Sequence, residues 1–581
     1  MSELQEVDLV IKGGTVVSPS GTRKVGIAVD DGKIVAVTED RFLPPARREV
    51  DATGLHVIPG LVDTEAHPGC YSPLKDDLGS ESRAAVTAGV TTWGIHAPST
   101  RMGHPTFAEF VQKEDVISFH DSFPYFEQAV KDDSAVDVFA TYMLETDQQA
   151  SEIPEYAKDH GVTSYKLYLQ AMSPESEPNW PGRRAGLGAG FDDGVIWVTM
   201  ENVAAMGRPG IVCMHCENWE VARIFDKRLK AEGRTDWATW SDRSPHYLEA
   251  SHIRWYGDMA AHLGCPIYIQ HSTTPESYKE ILELRGRGVE CHAQTGPHWL
   301  HFGKEEHNAW RINVPLRSRH NNPNIWSAIQ AGIINSVGSD HVVAWGDASY
   351  EASYNENIWE LKTGFTSRVE MLLPVLLNGV NEGKITLERM VEVACSEPAR
   401  IFGVYPRKGL IDIGADADLV LVDLDKEVTV KNENVLTRSG WTCIMDHTLK
   451  GWGVATFLRG KQMSKWDDGA PGPEFIGDAG NLMIEHSTLK FADDDSDALE
   501  LHTILTEAAE RDFLRSLAIA RGDEPFGDEP LNFLLRGSGF GRKDDRRDIN
   551  FGGFLNQRQD VRGHGRRFIT VSRRIGADTE E

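Results

Sequence analysis

Short runs in which apolar, mostly β-branched residues alternate with polar ones mark both flanks of the chain. Near the start, Asp8 to Lys12 and Val25 to Val29 read as strands, and Asp31-Gly32 supplies a hairpin turn into Lys33 to Val37. Such strands need a partner sheet, and the matching pattern returns only at Ala417 to Asp423, Val428 to Val430 and Val454 to Leu458, with Arg459-Gly460-Lys461 as a turn. This predicts a small β-sandwich built from both flanks. Between the flanks lie eight short apolar runs: Val57 to His67, Val90 to His96, Val136 to Leu144, Thr163 to Leu169, Gly210 to His215, Pro266 to His271, Val289 to Ala293 and Ile333 to Asp340. Helix-length segments such as Trp197 to Met206 and Ser277 to Arg285 separate them. Strand and helix in regular alternation predict a parallel barrel of eight strands with crossover helices, the α/β class (β/α)8 or TIM barrel.

The domain boundaries expected from this pattern are 1–55 for the first part of the sandwich and 56–411 for the barrel. The second part of the sandwich is expected over 412–465, followed by a C-terminal extension over 466–581. Gly469-Ala-Pro-Gly-Pro473 opens the extension as a linker, and Asp497 to Arg521 reads as a helix. Gly537 to Asp545 and the basic patch Arg562 to Arg567 read as irregular. The extension is expected to be an arm packed on its own barrel or on a neighbouring subunit, with mobile last residues.

Composition narrows the partners. With 581 residues the chain exceeds what one ordinary core supports. Its net charge of −28 repels nucleic acid and anionic membrane surfaces, so neither is expected as a partner. No apolar run of about 18 residues is present to span a membrane. The N-terminus lacks a basic region followed by an apolar core, which points to the cytoplasm. The cysteines, at 70, 213, 216, 265, 291, 395 and 443, form no regular framework and are expected to be reduced thiols. Cys213 and Cys216 would face opposite ways around a strand, against a redox pair.

Candidate chemistry lies where the strands end, since the carboxyl ends of barrel strands build the active site. Five runs finish on Glu65 and His67, Lys166, His215, His271 and Asp340. Glu65 and His67, two apart, share one strand face. Imidazole nitrogen and carboxylate oxygen suit zinc and its first-row neighbours. As an ammonium Lys166 cannot ligate, which leaves two readings. Its amine takes up carbon dioxide to give a carbamate, an anionic two-oxygen ligand, or it forms a buried ion pair with Glu65 or Asp340.

Several segments together resemble the amidohydrolase superfamily and, within it, the cyclic amidases: D-hydantoinase, dihydropyrimidinase, allantoinase and dihydroorotase. They are Pro59 to Asp63, Gly161 to Lys166, His215-Cys-Glu-Asn218, His271-Ser272, Gly338-Ser-Asp-His341, Pro406-Arg-Lys-Gly409 and Gly414 to Asp418. The resemblance implies a binuclear divalent metal site, commonly zinc, bridged by carboxylated Lys166 and a hydroxide. His215 and His271 would hold one ion and the first-strand pair the other. Asp340 would be both ligand and proton shuttle in hydrolysis of the C–N bond of a small cyclic amide. A homo-oligomer, tetramer or dimer, is also implied.

Departures are informative. Glu65-Ala-His67 stands where the family carries His-x-His, so Glu65 either ligates through oxygen or leaves a single ion. Ala171 stands where hydantoinases place a tyrosine that stabilises the oxyanion, and Gly296 where the family has Ser or Cys before Pro. Tyr168, His298, Arg317 and His341 are candidates for replacement contacts to substrate. Two alternatives stand beside the amidase reading. One is a non-catalytic scaffold like the dihydropyrimidinase-related proteins, against which retention of the ligand set weighs. The other is a hydrolase of a lactone, carbamate or acyclic amide, since barrels host many chemistries.

Overall fold

In the hairpin near the N-terminus, Asp31 and Gly32 take φ of 48° and 74°, as a two-residue turn with both central residues left-handed requires. The computed structural model describes residues 6–70, 72–97, 118–169, 192–306, 312–343, 357–359, 367–467 and 469–478. The first flank forms strands β1 (Val7–Lys12), β2 (Thr15–Ser18), β3 (Gly21–Lys24), β4 (Gly26–Asp30), β5 (Lys33–Thr38), β6 (Ala46–Asp51) and β7 (His56–Pro59). The barrel follows as β8 (Leu61–Ala66), β9 (Val90–Ala97), β10 (Asp137–Met143), β11 (Ser164–Tyr168), β12 (Ile211–His215), β13 (Ile267–Ile269), β14 (Cys291–Thr295) and β15 (Ser336–Val337). The second flank supplies β16 (Leu419–Thr429), β17 (Thr448–Leu458), β18 (Lys461–Lys465) and β19 (Glu474–Phe475).

Strands β8 to β15 pair in sequence order, each parallel to the next. The ring closes where Ala66 bridges His341 and the His67 N–H donates to the His341 carbonyl at 2.8 Å. The chain is therefore a (β/α)8 barrel, with helices such as Asp193–Met206 and Pro275–Gly286 on the crossovers. Val62, Phe139, Ile211, Cys213 and Tyr268 pack inside the barrel against Ala399, Ile401, Phe402 and Val404, which plug its lower end. Apolar packing stops one layer higher, where Thr64, Tyr268 and Ser336 join by hydroxyl hydrogen bonds of 2.8 and 2.9 Å. Above that layer the interior is polar and the site begins.

The flanks meet as predicted. β16 runs antiparallel to β7, with Leu419 opposite Pro59, in a seven-stranded sheet ordered β19-β18-β17-β16-β7-β2-β3. This sheet faces the four-stranded β5-β4-β1-β6 across a core that includes Leu9, Ile27, Val57, Leu421 and Phe457. β7 lies just inside the range expected for the barrel, yet its pairing places it in the sandwich. The separate strands expected at Ala417 to Asp423 and Val428 to Val430 form the single strand β16, which absorbs register shifts at 421/422 and 423/427. Gly469 to Pro473 leads into β19, which pairs with β18. The helix expected over Asp497 to Arg521, the irregular segments Gly537 to Asp545 and Arg562 to Arg567, and Ala171 lie outside the described residues.

All seven cysteines are buried, and none forms a disulfide. Cys213 packs inside the barrel and Cys216 in the layer between strands and helices, which separates the C-x-x-C thiols. Among the described residues no helix is long and apolar enough to cross a membrane.

Candidate active site

Register shifts at Leu61/Val62 and Asp63/Ala66 interrupt the β8–β9 ladder, and beyond them Glu65 and His67 both reach the polar mouth of the barrel. Glu65 Oε1 accepts from Lys166 Nζ at 3.1 Å and lies 3.8 Å from His67 Nε2 and 3.9 Å from His96 Nδ1. His67 Nε2 is 3.1 Å from Asp340 Oδ1. A few residues around the barrel, the His215 and His271 rings meet edge to face with centroids 4.4 Å apart. His271 and Asp340 each follow the end of a strand with φ of 37° and 49°, a conformation unusual outside glycine that turns their side chains into the mouth.

Two glutamines tie these groups together. Gln294 Nε2 donates to Glu65 Oε2 at 2.9 Å, while its Oε1 accepts from the His271 N–H at 2.7 Å. A Cβ at Gly338 would fall 2.2 Å from Gln294 Nε2, so glycine there lets the amide approach. Gln270 accepts a short hydrogen bond from Lys166 and lies 3.3 Å from His96 Nε2. Behind His215, Glu217 Oε2 is 3.6 Å away and accepts from Trp219 Nε1 at 2.7 Å; Glu217 Oε1 accepts from the Ser244 hydroxyl at 2.6 Å.

Electrostatics sort the groups by role. Burial opposes ionisation of Glu65, but the Lys166 ammonium and His67 hold it well below the usual carboxylate range. Burial, reinforced by neighbouring positive charge, keeps His96 and His271 well below the ordinary imidazole value, and it also lowers His215. Neutral imidazoles are what a metal needs. His67 differs: burial would depress it, yet Asp340, Cys70 and Glu65 lift it well above the usual value. Ligand atoms of Glu65, His67 and His96 all lie within 4.8 Å of one another. Among the described residues Nδ1 of His96 and Nδ1 of His271 have no hydrogen-bond partner. A converging set of carboxylate and imidazole donors with unpartnered ring nitrogens fits a divalent cation.

Comparisons with known proteins agree with this geometry. Residues 221–462 match the model of the Amidohydrolase family. The L-hydantoinase of Paenarthrobacter aurescens is 28% identical over 465 residues, covering 78% of this chain and 93% of that protein. The allantoinase of Solibacter usitatus is 27% identical over 479 residues, 79% of this chain and 94% of its own. A solved D-hydantoinase structure superposes with a TM-score of 0.71 at 27% identity, covering 82% of this chain and 99% of that one. Over about four fifths of its length the chain is similar to hydantoinases and allantoinases, and its second half matches the Amidohydrolase family.

The structure brings Glu65, His67, Lys166 and Asp340 into one contact chain, with His215 and His271 beside them. Tyr168 stacks on His215 at 4.3 Å between centroids, with Lys166 Nζ 5.6 Å from its ring. His298 sits at the rim, its Nε2 3.3 Å from Arg368 Nη1.

Arg317 and His341 differ from the sequence expectation of substrate contact. Arg317 is spent on Glu249 at 3.1 Å, the Thr273 hydroxyl at 3.0 Å and the Ser244 carbonyl, bracing the loop that follows His271. His341 Nε2 faces Glu81 at 3.0 Å and its Nδ1 accepts from the Arg368 and Val369 amides, so both ring nitrogens are committed to packing. Four residues of the site are absent from the sequence-based candidates: His96, Gln270, Gln294 and Arg368. His96 closes the second apolar run and so meets the same strand-end criterion as the candidate ligands. For Arg368 the sequence carries no local signal.

Proposed function

We propose that the protein hydrolyses the C–N bond of a cyclic amide at the barrel mouth, using one or two divalent cations, zinc in the first instance. The observation that carries this reading is the cluster of Glu65, His67 and His96 within 4.8 Å, with Lys166 and Asp340 in contact with it and the His215–His271 pair nearby. Relatives named L-hydantoinase, D-hydantoinase and allantoinase support it. Glu65, His67, His96 and Asp340 would hold one cation; His215 and His271 would hold a second, with Lys166 joining both once carboxylated. When bound, the metal polarises the substrate carbonyl and makes water more acidic.

The remaining work falls to side chains. Asp340, oriented by His67 against Oδ1 and Arg368 against Oδ2, takes the proton of the attacking water and returns it to the ring nitrogen as the C–N bond breaks. The ring opens to a carboxylate and a released amine or ureide nitrogen. Gln294 keeps Glu65 and the His271 loop in fixed relation throughout.

The Lys166–Glu65 contact of 3.1 Å supports a one-cation variant in which the lysine stays an ammonium. Metal counting, together with 13C labelling from bicarbonate, separates the two versions. The central test is ring opening of hydantoins, dihydropyrimidines and allantoin by metal-replete protein. Asp340→Asn is expected to lower turnover by about 10²-fold or more with an unchanged circular dichroism spectrum. Absence of ring opening across the panel, or full activity in that variant, overturns the reading.

The proposal extends to a homo-oligomer, dimer or tetramer, with residues 466–581 as an arm on its own barrel or a neighbour's, checked by light scattering of the full chain. A cytoplasmic setting suits seven buried thiols.

A further inference from the structure

Arg368 is fully buried beside the proposed catalytic carboxylate, and its backbone is pinned on both sides. Its N–H donates to His341 Nδ1 at 3.1 Å, and the preceding residue, Ser367, bridges Thr442, whose hydroxyl donates to the Ser367 carbonyl at 3.1 Å. The guanidinium is engaged only at one corner: Nη1 lies 2.9 Å from Asp340 Oδ2 and 3.3 Å from His298 Nε2. Among the described residues Nε and Nη2 have no hydrogen-bond partner. These two nitrogens form one edge of the planar group and present parallel N–H donors, the fork that matches the two oxygens of a carboxylate. Leaving such donors buried and unmatched is unfavourable, more so for a charged group than for a neutral one.

Charge balance points the same way. With Lys166 an ammonium, Glu65 and Asp340 offset it and Arg368 and one cation is left in excess; with Lys166 carboxylated, two divalent cations and Arg368 still outweigh three anions, so the loaded mouth carries excess positive charge either way. His298, on the far side of the Nη1 corner, likewise has an unpartnered Nδ1 among the described residues.

We propose that the free Nε–Nη2 edge of Arg368 seats a carboxylate carried by the substrate, so that the preferred ring amide is an anionic one. This rests on the proposed ring-amide hydrolysis. The arginine both orients Asp340 and anchors the substituent, which fixes the scissile amide relative to the proton-carrying oxygen.

The experiment compares hydantoin-5-acetate with its neutral isostere hydantoin-5-acetamide on metal-replete full-length protein. The wild type is expected to favour the acetate in kcat/KM by at least about tenfold, the low end for a charge-assisted bidentate contact. The ratio should collapse toward one in Arg368→Met and fall partway in Arg368→Lys, which keeps the charge and loses the fork. Succinate, as a probe independent of turnover, should raise the wild-type melting temperature and leave Arg368→Met unmoved. Equal rates on the two hydantoins, or a ratio preserved in Arg368→Met, overturns the carboxylate seat and leaves ring-amide hydrolysis standing. Succinate protection that depends on Arg368, with no ring opened, upholds the seat and overturns the hydrolase reading.

Discussion

Asp340 is held from two sides, by His67 at 3.1 Å and Arg368 at 2.9 Å, while Glu65 is held by Lys166 and Gln294. Each carboxylate therefore keeps one orientation without help from solvent, as the proposed roles of proton carrier and ligand require. His96, on β9, has a ring nitrogen within 4.8 Å of the donor atoms of Glu65 and His67, so it would add a second imidazole to the proposed donor set. We expect His96→Asn to weaken metal retention by roughly tenfold or more in a chelator competition, with the fold intact by circular dichroism. Unaltered retention would remove His96 from the ligand set. The residues that could be read from sequence were those ending apolar runs, because a strand end is both a periodicity signal and a location. Gln270, Gln294 and Arg368 were not legible: an uncharged amide beside a histidine carries no signature, and Arg368 reaches Asp340 only through tertiary folding.

Strands and their junctions pose a different problem, which is how the lower end of the barrel is joined to the sandwich. Lys408 is buried there with its Nζ 2.5 Å from Asp137, 2.7 Å from Asp418 and 2.9 Å from Asp416, linking β10 to the chain entering β16. Arg459 still faces Asp137, and Lys33 and Arg407 still face Asp416, but removing the ammonium leaves Asp418 with no salt bridge among the described residues, so Lys408→Met should cost about 3 kcal/mol in denaturant unfolding. A loss below about 1 kcal/mol would show that the cluster is dispensable. A second junction pairs His301, in the helix Pro297–His301, with His447, just before β17, at 3.0 Å. Burial and the nearby His447 push His301 down to about 3. The folded state thus keeps it neutral, while the unfolded chain takes up a proton near pH 6.5. Stability linked to His301 is therefore present above pH 6.5 and lost as pH falls toward 3. His301→Gln should lose less stability than the wild type between pH 7 and pH 4.5 in matched urea titrations, and parallel curves would contradict this. Hairpins and barrel strands were legible because alternation and turn residues are local, whereas the fusion of two predicted strands into β16 depends on bulges that only pairing with β17 creates.

At the scale of the whole molecule, the site binds elements from every quarter of the barrel, so a cation held there stabilises the folded chain as a unit. Chelation is expected to lower the melting temperature and zinc to restore it, a binding contribution of about 2.7 kcal/mol to the unfolding free energy at a hundredfold excess over Kd. A melting temperature indifferent to chelation would mean that the donors fold without an ion. Architecture was the most legible level, since eight apolar runs at strand length with helices between admit few arrangements. The order of the sandwich strands was not, because pairing across the flanks leaves no mark in either segment alone. That pairing also bears on synthesis. The edge of β7 waits for β16, which emerges some 360 residues later, or tens of seconds at ribosomal speed. Throughout that interval the first flank is a sheet missing its neighbour, with an open row of amides and carbonyls beside Val57 and Ile58. A nascent chain stalled before Leu419 is thus the form of this protein most in need of a chaperone.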